Sequence, residues 1–306
     1  MRVSLLAAAL VLAACAGARA DPPHGGALAA SYPEGPLYQG GVLYFAEMGA
    51  DRIRVYADGQ ARTFFAQPGC GPTAIAPYGA GFLVLCHIGA RVVAVDSHGA
   101  ALRSWSADDR NVRLRDPNDA SADGHGGVYF SDPGLFSRNT RPHGRVMHLS
   151  ADGVLRSVAG PLWYPNGVFM DRANRQLYVS EHLRGRVLRY DIGADGELGP
   201  ARVHIDLARI ARPERYATPY AETGPDGLEI GPNGDLFVAI YGEGRVLRFS
   251  PEGALVGMFE TPTRYLTNIA FDAAGGAVTT GSFDNLTPPF PGEVRFHEPA
   301  EMIGAR

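Results

Sequence analysis

The sequence predicts an all-β fold, a six-bladed β-propeller of four-stranded blades. Three observations carry this expectation: a strand signal that recurs six times, a polar residue ahead of each recurrence, and no long amphipathic helical pattern after the first 20 residues.

The chain opens on a targeting segment, excluded from the fold. Arg2 is a minimal basic region and residues 5–14 form an apolar run of signal-peptide length. Two processing readings stand side by side. Ala18-Arg19-Ala20 ahead of Asp21 fits a signal peptide over residues 1–20 and a soluble exported protein. Leu12-Ala13-Ala14-Cys15 reads as a lipobox, with Cys15 as a lipidated N-terminus. Either places the protein outside a bacterial cytoplasm, in the periplasm or as an outer-membrane lipoprotein, and the membrane enters only through that anchor.

Residues 21–306 then read as one propeller domain. Strand-type runs recur as Leu43-Tyr44-Phe45, Leu83-Val84-Leu85, Val128-Tyr129-Phe130, Leu177-Tyr178-Val179, Leu236-Phe237-Val238 and, more weakly, Ala277-Val278-Thr279. A second strand follows each, as in Gly185-Arg186-Val187 and Gly244-Arg245-Val246, continuing with the period-two alternation of a half-buried strand. Asp58-Gly59, Asp152-Gly153 and Glu252-Gly253 mark the turns beyond. The repeat of about 40 to 60 residues suits a four-stranded blade. Too little chain follows Phe296 for a fourth strand, so residues 27–31 are expected to supply the outer strand of the last blade and close the ring.

Composition agrees. Hydrophobic residues make up 45% of the 306, enough for a large core, and 39 Gly with 23 Pro suit many tight turns. A net charge of -4 without a basic cluster argues against nucleic-acid binding. With Cys15 removed or lipidated, Cys70 and Cys86 remain as an even pair at one end of one repeat. They read either as a disulfide, which persists in an exported protein, or as two buried thiols.

The chemistry lies in the polar set ahead of the six strands: Glu34, Thr73, Asn118, Asn166, Asp226 and Asn268. First strands of a propeller line the central channel, so equivalent register means one shared mouth. Every member offers an oxygen. Two carboxylates among amides repel each other unless a cation lies between them, and an all-oxygen shell suits Ca2+ best, then Mg2+ or Mn2+, with Zn2+ disfavoured by the lack of His or Cys. Each position is also a loop-to-strand junction where turn chemistry alone places Asn, Asp and Gly. The recurrence and the presence of Glu34, a poor turn former, favour the shared site. Strands returning to the same face bring Glu47, His87, Asp132, Glu181 and His182 near the mouth. Among these, His87 and Asp132 are candidate substrate contacts or proton shuttles. Trp163 and Tyr164 are pocket candidates beside Asn166, and residues 216–222 are a lid candidate.

Pro33-Glu34-Gly35-Pro36, Pro117-Asn118-Asp119, Pro165-Asn166-Gly167 and Gly224-Pro225-Asp226-Gly227, in that order, resemble the motifs of the senescence-marker-protein/gluconolactonase (regucalcin-like) family. The resemblance spans nearly all of residues 21–306. It implies a six-bladed propeller with one divalent metal in the channel that hydrolyses a lactone or related ester. It implies Glu34, Asn166 and Asp226 as ligands, Asp226 also as the catalytic acceptor, and Asn118 on metal-bound water or substrate. Family members often carry an Arg two residues before the Asn118 position to hold a sugar lactone. Here that place is Asp116, with Arg115 one residue earlier as a substrate-binding candidate, so the sugar-holding position departs from the family pattern while the ligand set is intact. The alternative is a non-catalytic propeller that binds a metal or ligand.

Overall fold

A computed structural model describes residues 25–137, 141–194, 196–210 and 223–304. The expected leader, Cys15 and residues 216–222 lie outside them. The fold is an all-β propeller with four-stranded blades.

Strand β1 (Ala27–Ser31) is followed by a first sheet of β2 (Pro33–Gln39), β3 (Val42–Glu47), β4 (Arg52–Ala57) and β5 (Gln60–Ala66). The second sheet is β6 (Pro72–Tyr78), β7 (Gly81–Cys86), β8 (Arg91–Val95) and β9 (Ala101–Trp105). The third is β10 (Ala120–Ala122), β11 (Val128–Asp132), β12 (Gly144–Leu149) and β13 (Leu155–Leu162). The fourth is β14 (Pro165–Asp171), β15 (Gln176–Glu181), β16 (Arg186–Asp191) and β17 (Arg202–Asp206). The remaining strands share an eight-stranded sheet. One half is β18 (Gly224–Ile230), β19 (Leu236–Tyr241), β20 (Arg245–Phe249) and β21 (Leu255–Glu260). The other is β22 (Tyr265–Phe271), β23 (Ala277–Ser282) and β24 (Pro291–His297), with β1 antiparallel beside β24 from Ala27↔Arg295 to Ser31↔Pro291. A single Tyr241↔Tyr265 pairing joins the halves.

Local chemistry sets each hairpin. Asp58 and Gly59 both have positive φ, 53° and 75°, in the two-residue loop closed by Ala57↔Gln60, the turn whose twist matches the flanking strands. Strand alternation then builds the core. Leu43 and Phe45 pack toward Ala270, Val278 and Phe296 of the last strands, whereas Tyr44 and Ala46 face Ile75, Val84 and Val93 of the second sheet. Similar apolar clusters lie between the other neighbouring arrays, and the largest fully buried side chains include Phe45, Phe130, Phe237 and Phe249. The first strands β2, β6, β10, β14, β18 and β22 lie side by side in that order, and β22 lies beside β2. Among the described residues no helix is long and apolar enough to cross a membrane.

One irregularity positions the site. In β2 the three steps from Glu34 to Leu37 oppose two steps from Ala46 to Tyr44, a bulge. The same three-against-two slip falls between Pro165 and Val168 in β14 and between Pro225 and Leu228 in β18. A bulge leaves residues out of the ladder and re-aims their side chains. In β14 and β18 it frees Asn166 and Asp226, the residues after the prolines, while in β2 Glu34 stays opposite Ala46 and Gly35 and Pro36 leave the ladder.

Candidate metal centre and pocket

A pocket of about 290 Å³ at one end of the channel is lined by Glu34, Thr73, Asn118, Asn166 and Asp226, with His87 and Tyr164. The polar set predicted for the mouth therefore converges, except in the last repeat. There Leu266 pairs with Gly281 as Pro165 pairs with Glu181, so Thr267 holds the register of the other five and Asn268 lies one residue deeper. Asn268 belongs to a second cavity, of about 440 Å³, on the far side of this layer.

That deeper layer explains the glycines of the motifs. The residues after the polar set are Gly35, Ala74, Asp119, Gly167, Gly227 and Asn268. Asn268 donates from Nδ2 to Asp119 Oδ1 at 3.2 Å, while Asp119 Oδ2 accepts the Val168 N–H at 2.9 Å. This bonded pair lies against Gly227, and neighbouring first strands approach Gly35 and Gly167 closely, so these positions must be small. A Cβ on Gly227 would fall 1.9 Å from Asn268 Cγ, and one on Gly35, whose φ is +41°, would fall 2.3 Å from the Thr73 carbonyl oxygen.

The electrostatics of the upper layer are those of a site lacking positive charge. Burial, then Asp119, pushes Glu34 well above the usual carboxylate range. Burial, then Glu34 and Asp119, does the same to Asp226, partly offset by hydrogen bonds from Gly227 and the Asn166 side chain. Burial raises Asp119 to about 6. Asn166 is 5% exposed, and its Oδ1 is buried with no hydrogen-bond partner. Two buried carboxylates and an orphaned amide oxygen form a donor set that fits a hard divalent cation. No group of three His, Cys, Asp or Glu side chains suited to a metal occurs among the described residues, so such an ion would depend on the amides. Thr73 is less available, because its hydroxyl donates to the Pro117 carbonyl at 3.2 Å.

His87 lines the pocket with a buried Nδ1 that has no partner, and burial lowers its pKa against the pull of Asp116, favouring the neutral ring. Asp132, expected as a substrate contact, does not line this pocket. It is fully buried, accepts the N–H groups of Arg115 (2.8 Å) and Asp116 (3.0 Å), and pairs with Arg145 at 2.6 Å. Its oxygens are thus spent holding the loop before Asn118. Glu47 and Glu181 act alike: Glu47 accepts from Ser31 N (3.1 Å) and Arg52, and Glu181 from Trp163 N (2.8 Å) and Arg186. Each carboxylate ties the residue three before Glu34 or Asn166 to the next strand. In the second sheet Cys86 pairs with Pro72 as Glu181 pairs with Pro165, and Cys86 is disulfide-bonded to Cys70, three residues before Thr73. A covalent link there takes the carboxylate's place.

Arg115 also stays off the pocket, its guanidinium donating to the His143 carbonyl at 2.9 Å. Trp163 lies outward beneath Arg184, 5.1 Å from the ring centroid. The residues that sequence reasoning missed are Tyr32, Met48, Phe136, Tyr241 and Asn285 on the pocket wall, and Asp119 below it. Tyr32 had a signal, since it precedes Glu34 by the same two residues as Tyr164 precedes Asn166.

Comparison with known proteins shows the family and the fold. Residues 32–280 match the SMP-30/Gluconolactonase/LRE-like region. Over 202 residues the chain is 29% identical to lactonase drp35 of Staphylococcus haemolyticus, a match that spans 63% of this chain and 57% of that relative. It is 26% identical over 283 residues to the gluconolactonase of Zymomonas mobilis, covering 83% and 77% of the two chains. Its fold is similar to that of a calcium-binding protein, regucalcin, from Agrobacterium tumefaciens, with a TM-score of 0.69, 19% identity and coverage of 91% and 97%.

Proposed function

The chain belongs to the SMP-30/gluconolactonase/LRE-like family, and we propose that it is an exported, metal-dependent lactonase working at the Glu34, Asn166 and Asp226 end of the channel. The observation that carries this reading is the meeting of two buried carboxylates and the unpartnered Asn166 Oδ1 in one pocket. Glu34, Asn166 and Asp226 would hold the ion, with Ca2+ favoured by the all-oxygen set and by the calcium-binding relative. When bound, it would supply positive charge to polarise the lactone carbonyl and acidify water.

The side chains supply the rest. In the reaction, water adds its oxygen to the carbonyl carbon, the ring C–O bond breaks, the ring oxygen takes a proton, and the resulting hydroxy acid sheds one proton to solvent. Asp226 orients that water as a hydrogen-bond acceptor. Asn118 donates from its amide to the carbonyl oxygen, and neutral His87 offers Nδ1 on the pocket wall as a proton acceptor.

The architecture we infer is six-bladed. The two halves of the eight-stranded sheet count as the fifth and sixth blades, and β1 supplies the outer strand that closes the ring. Export from a leader over residues 1–20, or anchoring at Cys15, is our reading of the N-terminal segment, and the Cys70–Cys86 disulfide supports it because such bonds persist outside the cytoplasm. The test is proton release from a panel of γ- and δ-lactones, first with chelator and then with Ca2+, Mg2+, Mn2+ and Zn2+ restored separately. Hydrolysis that returns with a metal is expected. Metal binding without turnover of any lactone moves the reading to a binding propeller.

A further inference from the structure

Above the carboxylates the pocket wall is aromatic. Phe136 and Tyr164 meet with ring centroids 4.8 Å apart, His182 lies 6.0 Å beyond Tyr164, and Tyr241 5.9 Å beyond His182. Two of the wall's hydroxyls are engaged: Tyr32 Oη and Tyr241 Oη are 2.9 Å apart, and Asn285 Nδ2 donates to Tyr241 Oη at 2.8 Å. Among the described lining residues, Glu34 and Asp226 are the only acids and there is no Arg or Lys. Along this aromatic wall a polyhydroxylated ring would find few partners, the unspent Asn166 Oδ1 and His87 Nδ1 belonging to the polar set around the carboxylates.

A second, independent observation concerns the backbone. Tyr32 and Tyr164 both lie in the left-handed region, with φ of 46° and 53°. Their carbonyls accept the N–H groups of Met48 and His182, each at 3.1 Å. The equivalent residue of the second sheet is Gly71, φ 48°, whose carbonyl accepts the His87 N–H at 3.1 Å. Glycine adopts this conformation without penalty, whereas a bulky residue there is uncommon and strained by about 1 kcal/mol or more. Two tyrosines kept where glycine serves the same turn indicate that their rings are needed at the mouth.

Resting on the lactonase reading above, we propose that Tyr32 and Tyr164 determine specificity, and that the lactone taken here carries an apolar, ring-sized substituent rather than a set of hydroxyls. The rings bury that substituent while the ester faces Glu34, Asn166 and Asp226.

The experiment compares kcat/KM for dihydrocoumarin and glucono-δ-lactone, and in parallel the Kd of their unreactive lactam counterparts, 3,4-dihydroquinolin-2-one and gluconolactam. Wild type is expected to favour the aryl member of both pairs by at least about tenfold. Tyr164→Gly and Tyr32→Gly, which suit the backbone, should reduce that ratio about tenfold through weaker aryl binding, while Tyr164→Phe retains it. Gluconolactam binding as tightly as the aryl lactam in wild type overturns the inference even if lactones are hydrolysed, as does an unchanged ratio in both glycine variants. An aryl preference among the lactams with no lactone turnover upholds the pocket assignment and strikes the lactonase reading instead.

Discussion

In the upper layer of the channel Asn166 Oδ1 is buried without a partner beside two carboxylates, whereas one residue deeper Asp119 and Asn268 bond to each other and to the backbone. Both layers come from the same six first strands. The difference separates a binding site from a scaffold: a buried polar group left unsatisfied is costly unless a ligand completes it, and a satisfied pair rigidifies its surroundings. The glycines belong to the lower layer's packing and not to the chemistry above it.

Breaking the upper layer should give the largest effect on activity. Asp226→Asn is expected to lower metal-dependent kcat/KM at least about hundredfold, since even residues that only orient ligands cost up to that much. Its unfolding midpoint in chelator should equal or exceed wild type, because an uncompensated buried carboxylate is gone. Retained turnover would remove Asp226 from the site.

Breaking the lower layer should instead cost stability. Gly227→Ala places a methyl on Asn268, and urea unfolding should show a loss of about 2–3 kcal/mol. A loss under about 0.5 kcal/mol, the range of a neutral surface change, would show that the layer is not close-packed.

The loop clamps test a third kind of part. Glu181→Gln weakens the ion pair with Arg186, which is 34% exposed and so partly screened, while keeping an oxygen for the Trp163 N–H. Unfolding should lose about 1 kcal/mol, less than Gly227→Ala.

A further effect is one of pH. Burial raises Glu229, on the far-side cavity, to about 8. The unfolded chain releases that proton near the ordinary glutamate value, so the native state holds it longer and loses stability as pH rises through the window up to about 8. Glu229→Gln should therefore flatten the fall in unfolding midpoint between pH 5 and 8, with little difference at pH 5. Parallel wild-type and variant curves would contradict the assignment.

The strands and the convergence of Glu34, Asn118, Asn166 and Asp226 were legible in the sequence because period-two alternation and a proline-marked register repeat locally. The last repeat misled because Thr267 and Asn268 are both polar and its strand, Ala277-Val278-Thr279, is weakly apolar; only the Leu266↔Gly281 pairing fixes which one faces the mouth. Asp132 was misread for a different reason. Its position at a strand end suggested the mouth, but backbone N–H groups 16 and 17 residues away and Arg145 engage it, and such contacts leave no sequence period. Asp119 hid in an Asn-Asp pair that reads as turn chemistry, although its partner lies 149 residues away. The aromatic wall was half legible: Tyr164 stood out beside Asn166, while Tyr32, Phe136 and Tyr241 arrive from three other parts of the chain.

The most direct test of the account is a calorimetric titration of Ca2+ into chelator-treated protein, beside the Glu34→Gln/Asp226→Asn double variant. One site per chain is expected in wild type and none in the variant. No binding in wild type by Ca2+, Mg2+ or Mn2+, or equal binding in the variant, would contradict it.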